Sequence, residues 1–151
     1  MSIFNVAVVQ PHSNPPPDDA RNVDDALKWI ERAAGEGADF VCFPESYPGP
    51  WRMPAAYDPS ARIAEAADKF GAHVIFGTME PIDDAKRTAY NLTCMAYPDG
   101  RKPVRYRSIR AEPAAAGCGS SSGFRATNSR SSTPCMARSA SACAARFICP
   151  R

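Results

Sequence analysis

The amino-acid sequence changes character near residue 107, so the two parts of the chain need separate interpretations. Residues 1–106 contain 11 Lys and Arg and 15 of the 16 Asp and Glu, which gives them a net charge of −4. Residues 107–151 contain seven Arg, one acidic residue, ten Ala, nine Ser and four of the six Cys, with a net charge of +6. We therefore interpret the chain as an acidic, globular segment joined to a basic tail.

Short apolar runs alternate with amphipathic stretches through the acidic part. Apolar runs rich in β-branched residues predict buried strands, and apolar residues at a 3.6-residue period predict helices with one buried face. The predicted elements are strands at 3–9, 39–43, 73–79 and 90–97, helices at 19–35 and 60–70, and, after a hairpin turn at Pro98-Asp99-Gly100, a further strand at 104–106. This order predicts an α/β fold with helices packed on a sheet.

Several classes of protein are disfavoured by what the sequence lacks. It has no apolar run long enough for a membrane span and no basic, then apolar, N-terminal leader, so we expect a cytoplasmic protein. The first predicted strand is followed by Pro15-Pro16-Pro17 and not by a glycine-rich phosphate loop, which argues against a nucleotide-binding domain.

Glu45 is the candidate catalytic residue. It directly follows the second predicted strand, and ligand sites of α/β sheets gather at the carboxyl ends of strands. Among Phe43, Tyr47 and Trp51 its carboxylate would be poorly solvated, an environment that suits a general base. From position alone, a solvated loop glutamate is the more common alternative.

Several motifs, in the right order and spacing, resemble those of the nitrilase, or carbon–nitrogen hydrolase, superfamily. They are Val6-Ala7-Val8-Val9-Gln10, the stretch Gly37-Ala38-Asp39-Phe40-Val41-Cys42-Phe43-Pro44-Glu45-Ser46, Val74-Ile75-Phe76-Gly77-Thr78, and Tyr90-Asn91-Leu92 with Asp99-Gly100. The resemblance covers about residues 3–107. It implies the first half of an α-β-β-α sandwich and a catalytic Glu–Lys–Cys triad, with Glu45 as the general base.

The resemblance also implies the chemistry. A thiolate attacks the carbon of an amide, carbamoyl or nitrile group and forms a covalent intermediate. The lysine stabilises the negative charge that develops, and the glutamate moves the protons. Substrates of intact relatives are small amides or nitriles, and no cofactor or metal is implied.

The lysine and the cysteine of that triad are missing from this sequence. Serine stands at the lysine position in Tyr106-Arg107-Ser108, and Lys102 lies six residues too early, inside the predicted hairpin. Cys143 falls near the expected distance for the nucleophile, but its Ala and Ser neighbours show no strand periodicity. We therefore expect a truncated family domain at 1–107 that is inactive as written.

The tail itself is compatible with a shifted reading frame. Across Arg138 to Pro150, shifted codons permit Ile-Gly-Val-Ser-Val-Cys-Ser-Ala-Val-Tyr-Met-Pro, which resembles the family's nucleophile strand, with its cysteine codon straddling Cys143 and Ala144. We interpret residues 108–151 as a non-homologous, irregular or disordered tail, produced by a frameshift between Arg107 and Gly117.

Other functions stay open at this point. The chain could be a noncatalytic remnant that pairs with an intact homologue. Tyr47 and Trp51, with Tyr57, are candidates to line a substrate entrance, although such loops often only pack on the core. The tail cysteines lack zinc spacing, and its arginines lack the aromatic interleaving of a nucleic-acid site, so neither partner is expected. The resemblance implies a homo-oligomer for intact relatives, but the sequence gives no support for extending that state to this chain.

Overall fold

A computed structural model describes residues 3–83, 85, 88–108, 112–113 and 143–147, and for the last two ranges only the backbone. Two helices and seven strands are described. In chain order they are β1 (Phe4–Val8), α1 (Arg21–Gly35), β2 (Phe40–Cys42), α2 (Ser60–Phe70), β3 (His73–Asp83), β4 (Thr88–Ala96), β5 (Val104–Arg107), β6 (Glu112–Pro113) and β7 (Cys143–Phe147). A short 3-10 turn, Asp18–Ala20, leads into α1.

All seven strands form one mixed sheet in the order β5-β4-β3-β2-β1-β7, with β6 paired to β4. The three central strands β1, β2 and β3 are parallel, and helices connect them, as parallel connections require. Strands β3, β4 and β5 form an antiparallel meander. Gly100, in the turn between β4 and β5, has a φ of 69°, which favours glycine there.

Both helices pack on one face of the sheet, and the core lies between them and it. Their buried residues include Ala26, Ile30, Ile63 and Ala67. The sheet residues of this core are Ala7, Val9, Val41, Phe43, Val74, Phe76, Leu92, Cys94 and Ala96. Because side chains alternate along a strand, the residues between them point to the opposite face.

That opposite face, which we call the open face, is apolar but not buried. Its members are Phe4, Val6, Val8, Phe40, Cys42, His73, Ile75, Met95, Tyr97, Val104 and Tyr106, each half-buried or exposed. Within the described ranges no helix or second sheet covers them. The arrangement is one half of an α-β-β-α sandwich, as the sequence predicted.

The predicted strands and helices up to residue 107 are confirmed, with bounds that differ by a few residues. The structure differs around Cys143, where no strand was expected and β7 pairs antiparallel with β1, Val8 opposite Cys143. The reason is that β1 is otherwise an edge strand, whose free backbone groups pair with any extended segment regardless of its side-chain periodicity. Neither described helix is long and apolar enough to cross a membrane.

Candidate active site

Glu45 lies in a tight turn at the carboxyl end of β2. The turn is held against β3, because the Phe43 amide donates to the Ile75 carbonyl oxygen at 2.9 Å and the Gly77 amide donates to the Tyr47 carbonyl oxygen at 2.7 Å. Ser46 takes a φ of 60°, an uncommon conformation for a residue with a side chain. The chain thus reverses sharply at Glu45 and Ser46.

Glycine is required at position 77 for that turn to reach the sheet. A Cβ atom placed there would lie 2.3 Å from the Ser46 backbone nitrogen and 2.6 Å from its Cα. Such distances are far inside van der Waals contact, so any side chain at this position would push the turn away. The close approach of β3 therefore fixes the height of Glu45 above the sheet edge.

Asn91, on β4, holds the Glu45 carboxylate. Its side-chain amide nitrogen donates to Glu45 Oε1 at 2.8 Å. Its side-chain oxygen accepts from the Ser46 hydroxyl at 3.2 Å, so one amide group orients both residues of the turn. The sequence analysis quoted Asn91 only within the family motif Tyr90-Asn91-Leu92 and gave it no role. A carboxamide two strands from the glutamate could be assigned this contact only once the strand register was known.

Ser108, at the predicted lysine position, lies beside the same asparagine. Its backbone amide donates to the Asn91 carbonyl oxygen at 2.9 Å, which extends the β4–β5 pairing by one residue beyond Arg107 opposite Leu92. The fold thus brings the predicted base and the predicted lysine position to the two sides of Asn91. Position 108 holds no cation, so no ammonium group is present there.

Two other cations near this region do not replace the lysine. Lys102 is exposed in the β4–β5 turn, at the opposite end of β5 from Ser108, as predicted. Arg107 is paired with Glu80, its Nη2 lying 2.9 Å from Glu80 Oε1. The hydrogen bond from Arg107 lowers the pKa of Glu80, so this pair is ionised near neutral pH.

Glu45 is exposed, contrary to the expectation that apolar and aromatic neighbours would desolvate it. The reason is that two of the aromatic side chains named in that expectation, Phe43 and Tyr47, are buried in the core. Tyr47 is 1% exposed, packs on Phe43 with ring centroids 5.4 Å apart, and donates its hydroxyl to the Asn22 carbonyl oxygen. In addition, none of the described segments closes over the carboxylate.

The candidate entrance aromatics are held in the structure by internal contacts. Burial raises the pKa of Tyr47, whose hydroxyl faces the core. Trp51 is half-buried and donates its indole nitrogen to the Ser46 carbonyl oxygen, so it supports the turn that carries Glu45. Tyr57 donates to the Pro48 carbonyl oxygen at 2.9 Å. A role for these residues in substrate binding stays a prediction.

Neither of the two cysteines whose side chains are described is suited to be the nucleophile. Both are free thiols, Cys42 half-buried on the open face and Cys94 buried in the core. Burial raises the pKa of Cys42, and it raises that of Cys94 to about 11, so neither is a thiolate near neutral pH. The backbone at Cys143 lies in β7, opposite Val8, and its side chain is outside the described part of the structure.

Comparison with solved structures identifies the fold of this chain. The chain superposes on an amidase from Nesterenkonia sp. AN1, in a mutant complex with butyramide, with a TM-score of 0.58 at 19% identity, over 71% of this chain and 43% of that one. It also superposes on Nit3 of Saccharomyces cerevisiae, a member of the nitrilase superfamily, with a TM-score of 0.57 at 24% identity, over 72% of this chain and 45% of that one. These likenesses establish a nitrilase-type fold.

The chain belongs to the carbon–nitrogen hydrolase family, whose family model matches residues 5–149. Among curated proteins it is 30% identical to the omega-amidase NIT2 of Danio rerio over 119 residues, and 28% identical to that of Xenopus tropicalis. Each alignment covers 72% of this chain but only 41% of the relative. The chain therefore spans well under half the length of the curated relatives that it matches.

The family match runs beyond residue 107, where the sequence analysis ended its resemblance. The domain boundary at 107 and 108 stays a prediction. The irregular or disordered tail predicted for 108–151 also stays a prediction outside β6 and β7, because residues 109–111, 114–142 and 148–151 lie outside the described structure.

Proposed function

We propose that this chain carries the part of an amide-hydrolysing site that includes the general base, Glu45. We also propose that the 151-residue chain does not itself hydrolyse amides. The observation that supports this proposal is the contact of Asn91 with both Glu45 and Ser108. A lysine at position 108 would extend from the strand beside the glutamate, where an ammonium group could stabilise a developing oxyanion while Glu45 moves protons.

The substrate class that we propose is a small amide. The two curated relatives are omega-amidases, and the Nesterenkonia protein is an amidase that was solved with butyramide. Amides are therefore favoured over the nitriles and carbamoyl compounds that the sequence left equally open. Hydrolysis would release ammonia and leave the carboxylic acid.

Inactivity follows from the groups that this chain lacks. A base, an oxyanion donor and a nucleophile act as a unit, and loss of one member can cost nearly as much as loss of all. Serine at position 108 is short and uncharged, so it leaves the oxyanion without its cation. We also propose that the frame shifts between Arg107 and Gly117, which replaces the nucleophile strand; the source DNA across codons 107–118, sequenced again, tests this directly.

A restoration experiment tests the function. The source DNA is expressed in the shifted frame after the proposed site, with and without Ser108→Lys, and ammonia release from butyramide is measured. We expect turnover only when both changes are present, and we expect Glu45→Gln to abolish it. Failure of the doubly restored protein, if it folds, to release ammonia from any short amide or nitrile would contradict the proposed function.

A further inference from the structure

The loop of residues 46–59 connects the Glu45 turn with α2 and is built into the core. Residues 47–50 are all buried, although most connecting loops run over the protein surface. Buried backbone oxygens need hydrogen-bond donors, because each unpaired one costs free energy. The groups that supply these donors therefore determine how firmly the loop is held beside Glu45.

The Tyr57 hydroxyl is such a donor. Its oxygen lies 2.9 Å from the Pro48 carbonyl oxygen, inside the loop, and 3.0 Å from the Asp19 carbonyl oxygen, in the 3-10 turn before α1. A phenol carries one proton, which these two acceptors share. Burial raises the pKa of Tyr57, so the hydroxyl keeps this proton. One hydroxyl therefore ties the loop to the entrance of α1.

Two further contacts attach the loop to the same helix entrance. The Tyr47 hydroxyl donates to the Asn22 carbonyl oxygen at 3.1 Å, and an Arg52 guanidinium nitrogen lies 4.0 Å from the Asp19 carboxylate. Asp19 and Asn22 are 2% and 0% exposed, so both belong to the interior of the fold. The entrance of α1 is thus the fixed part against which the loop is held.

Gly49 carries the contact of Tyr57 onward to Trp51. A Cβ atom at position 49 would lie 2.6 Å from the Tyr57 hydroxyl oxygen and 3.4 Å from the Trp51 indole nitrogen, so these two side chains enclose the glycine. The indole nitrogen in turn donates to the carbonyl oxygen of Ser46, the residue after Glu45. The contacts therefore run without a gap from Tyr57 to the turn that carries the candidate base.

We propose that Tyr57 is a positioning residue for Glu45, because its hydroxyl holds the loop of residues 46–59 so that the turn presents the carboxylate to Asn91. This role rests on the proposed function, in which Glu45 is the general base. Without the hydroxyl, the Pro48 oxygen loses its donor, the loop loosens, and the carboxylate spends less time within reach of Asn91. Supports of this kind hold reacting groups within about 0.5 Å of their productive geometry.

The side-chain amide of Asn91 reports the position of Glu45 in NMR spectra of the 151-residue chain. The hydrogen bond to the carboxylate deshields an amide proton, and Glu45→Ala, which removes the acceptor, gives the reference position of the free amide. We expect Tyr57→Phe to move this resonance upfield, toward its position in Glu45→Ala. The matched control is Tyr97→Phe, because Tyr97 follows the end of β4 and is not part of the loop, and this variant should leave the resonance unmoved.

The stability of each variant separates positioning from a merely structural role. Circular dichroism verifies folding, and urea unfolding measures the free energy of unfolding. An unmoved Asn91 resonance in folded Tyr57→Phe, whether or not the variant is less stable, would overturn the proposal. If Tyr57→Phe does not fold, Trp51→Phe removes the next donor along the contacts, and we expect the same upfield shift.

Two outcomes of the Trp51→Phe experiment would also overturn the proposal. One is an unmoved Asn91 resonance, and the other is failure of both variants to fold, since a positioning role must be separable from folding. The resonance does not depend on hydrolysis. A shifted resonance, together with a restored protein that releases no ammonia, would therefore contradict the proposed function while supporting the contact between Tyr57 and the Glu45 turn.

Discussion

Asn91 uses three polar groups on three parts of the candidate site. Its amide nitrogen contacts Glu45, its side-chain oxygen accepts from Ser46, and its backbone oxygen accepts from Ser108. A carboxamide suits this role, because it presents a donor and an acceptor on one planar group. The residue therefore fixes where a cation at position 108 would meet the carboxylate.

For individual residues, we predict an energetic coupling between a lysine side chain at position 108 and the carboxylate of Glu45. Ser108→Lys should stabilise the chain more in the Glu45 background than in Glu45→Gln, by about 0.2–1 kcal/mol, the range of exposed ion pairs. Urea unfolding of the four proteins in this double-mutant cycle gives the coupling.

The coupling should shrink in 1 M NaCl, since salt screens exposed charges. Coupling of zero at low salt would mean that an ammonium group at position 108 does not reach Glu45, and the assignment of the lysine position would be wrong.

Among the structural elements, the contact between β3 and the turn that follows β2 determines where the candidate site lies. Gly77 lets the backbone of Ser46 come to the sheet, and this contact sets the position of the adjacent Glu45. A Cβ atom at position 77 would meet the backbone of Ser46. That backbone cannot move aside as the end of a flexible side chain can. The turn, and not the strand alone, is therefore the element that positions the candidate base.

Gly77→Ala should destabilise the chain by at least about 2 kcal/mol, because the methyl group overpacks this contact. Gly35→Ala is the matched control: nothing lies within 4 Å of a Cβ there, and alanine favours the helix end by up to about 1 kcal/mol. Thermal or urea unfolding measures both. Equal stability of Gly77→Ala and the unsubstituted chain would show that the turn is not held as described.

The elements themselves follow from local sequence patterns, which explains why they could be predicted. The periodicity of α1 and the apolar run of β3 depend on neighbouring residues only, and the family motif located Glu45 at the end of β2. The pairing of β7 with β1 depends on a backbone edge far away in sequence. The exposure of Glu45 and the burial of Tyr47 depend on the path of the loop that runs from the turn after β2 to α2. Composition does not encode that path.

At the scale of the whole molecule, we predict that stability falls in acid. Hydrogen bonds from Lys28 lower the pKa of Asp25, and those from Arg107 lower that of Glu80. Burial pushes the pKa of Asp58 upward, but hydrogen bonds from Ser60 and Arg105 outweigh it and leave the pKa below its ordinary value. Carboxyls with lowered pKa stabilise the fold above their unfolded-state pKa and lose that contribution as the pH falls through the folded-state value.

The free energy of unfolding should therefore be greatest above about pH 5 and decrease as the pH falls below about 4, the ordinary carboxyl range. Urea unfolding at a fixed protein concentration at pH 7, 5 and 3 measures this. Asp58→Asn should flatten the profile, since it removes one of the three groups. A chain that is as stable at pH 3 as at pH 6 would contradict the prediction.

The most direct measurement is ammonia release by the purified 151-residue chain from a panel of short amides and nitriles that includes butyramide, with Glu45→Gln assayed beside it. Serine at position 108 and the absence of a cysteine suited to nucleophilic attack among the described side chains predict no turnover above the buffer rate by either protein. Turnover by the unsubstituted chain that Glu45→Gln abolishes would contradict the account, because it would show a working site in the chain as written.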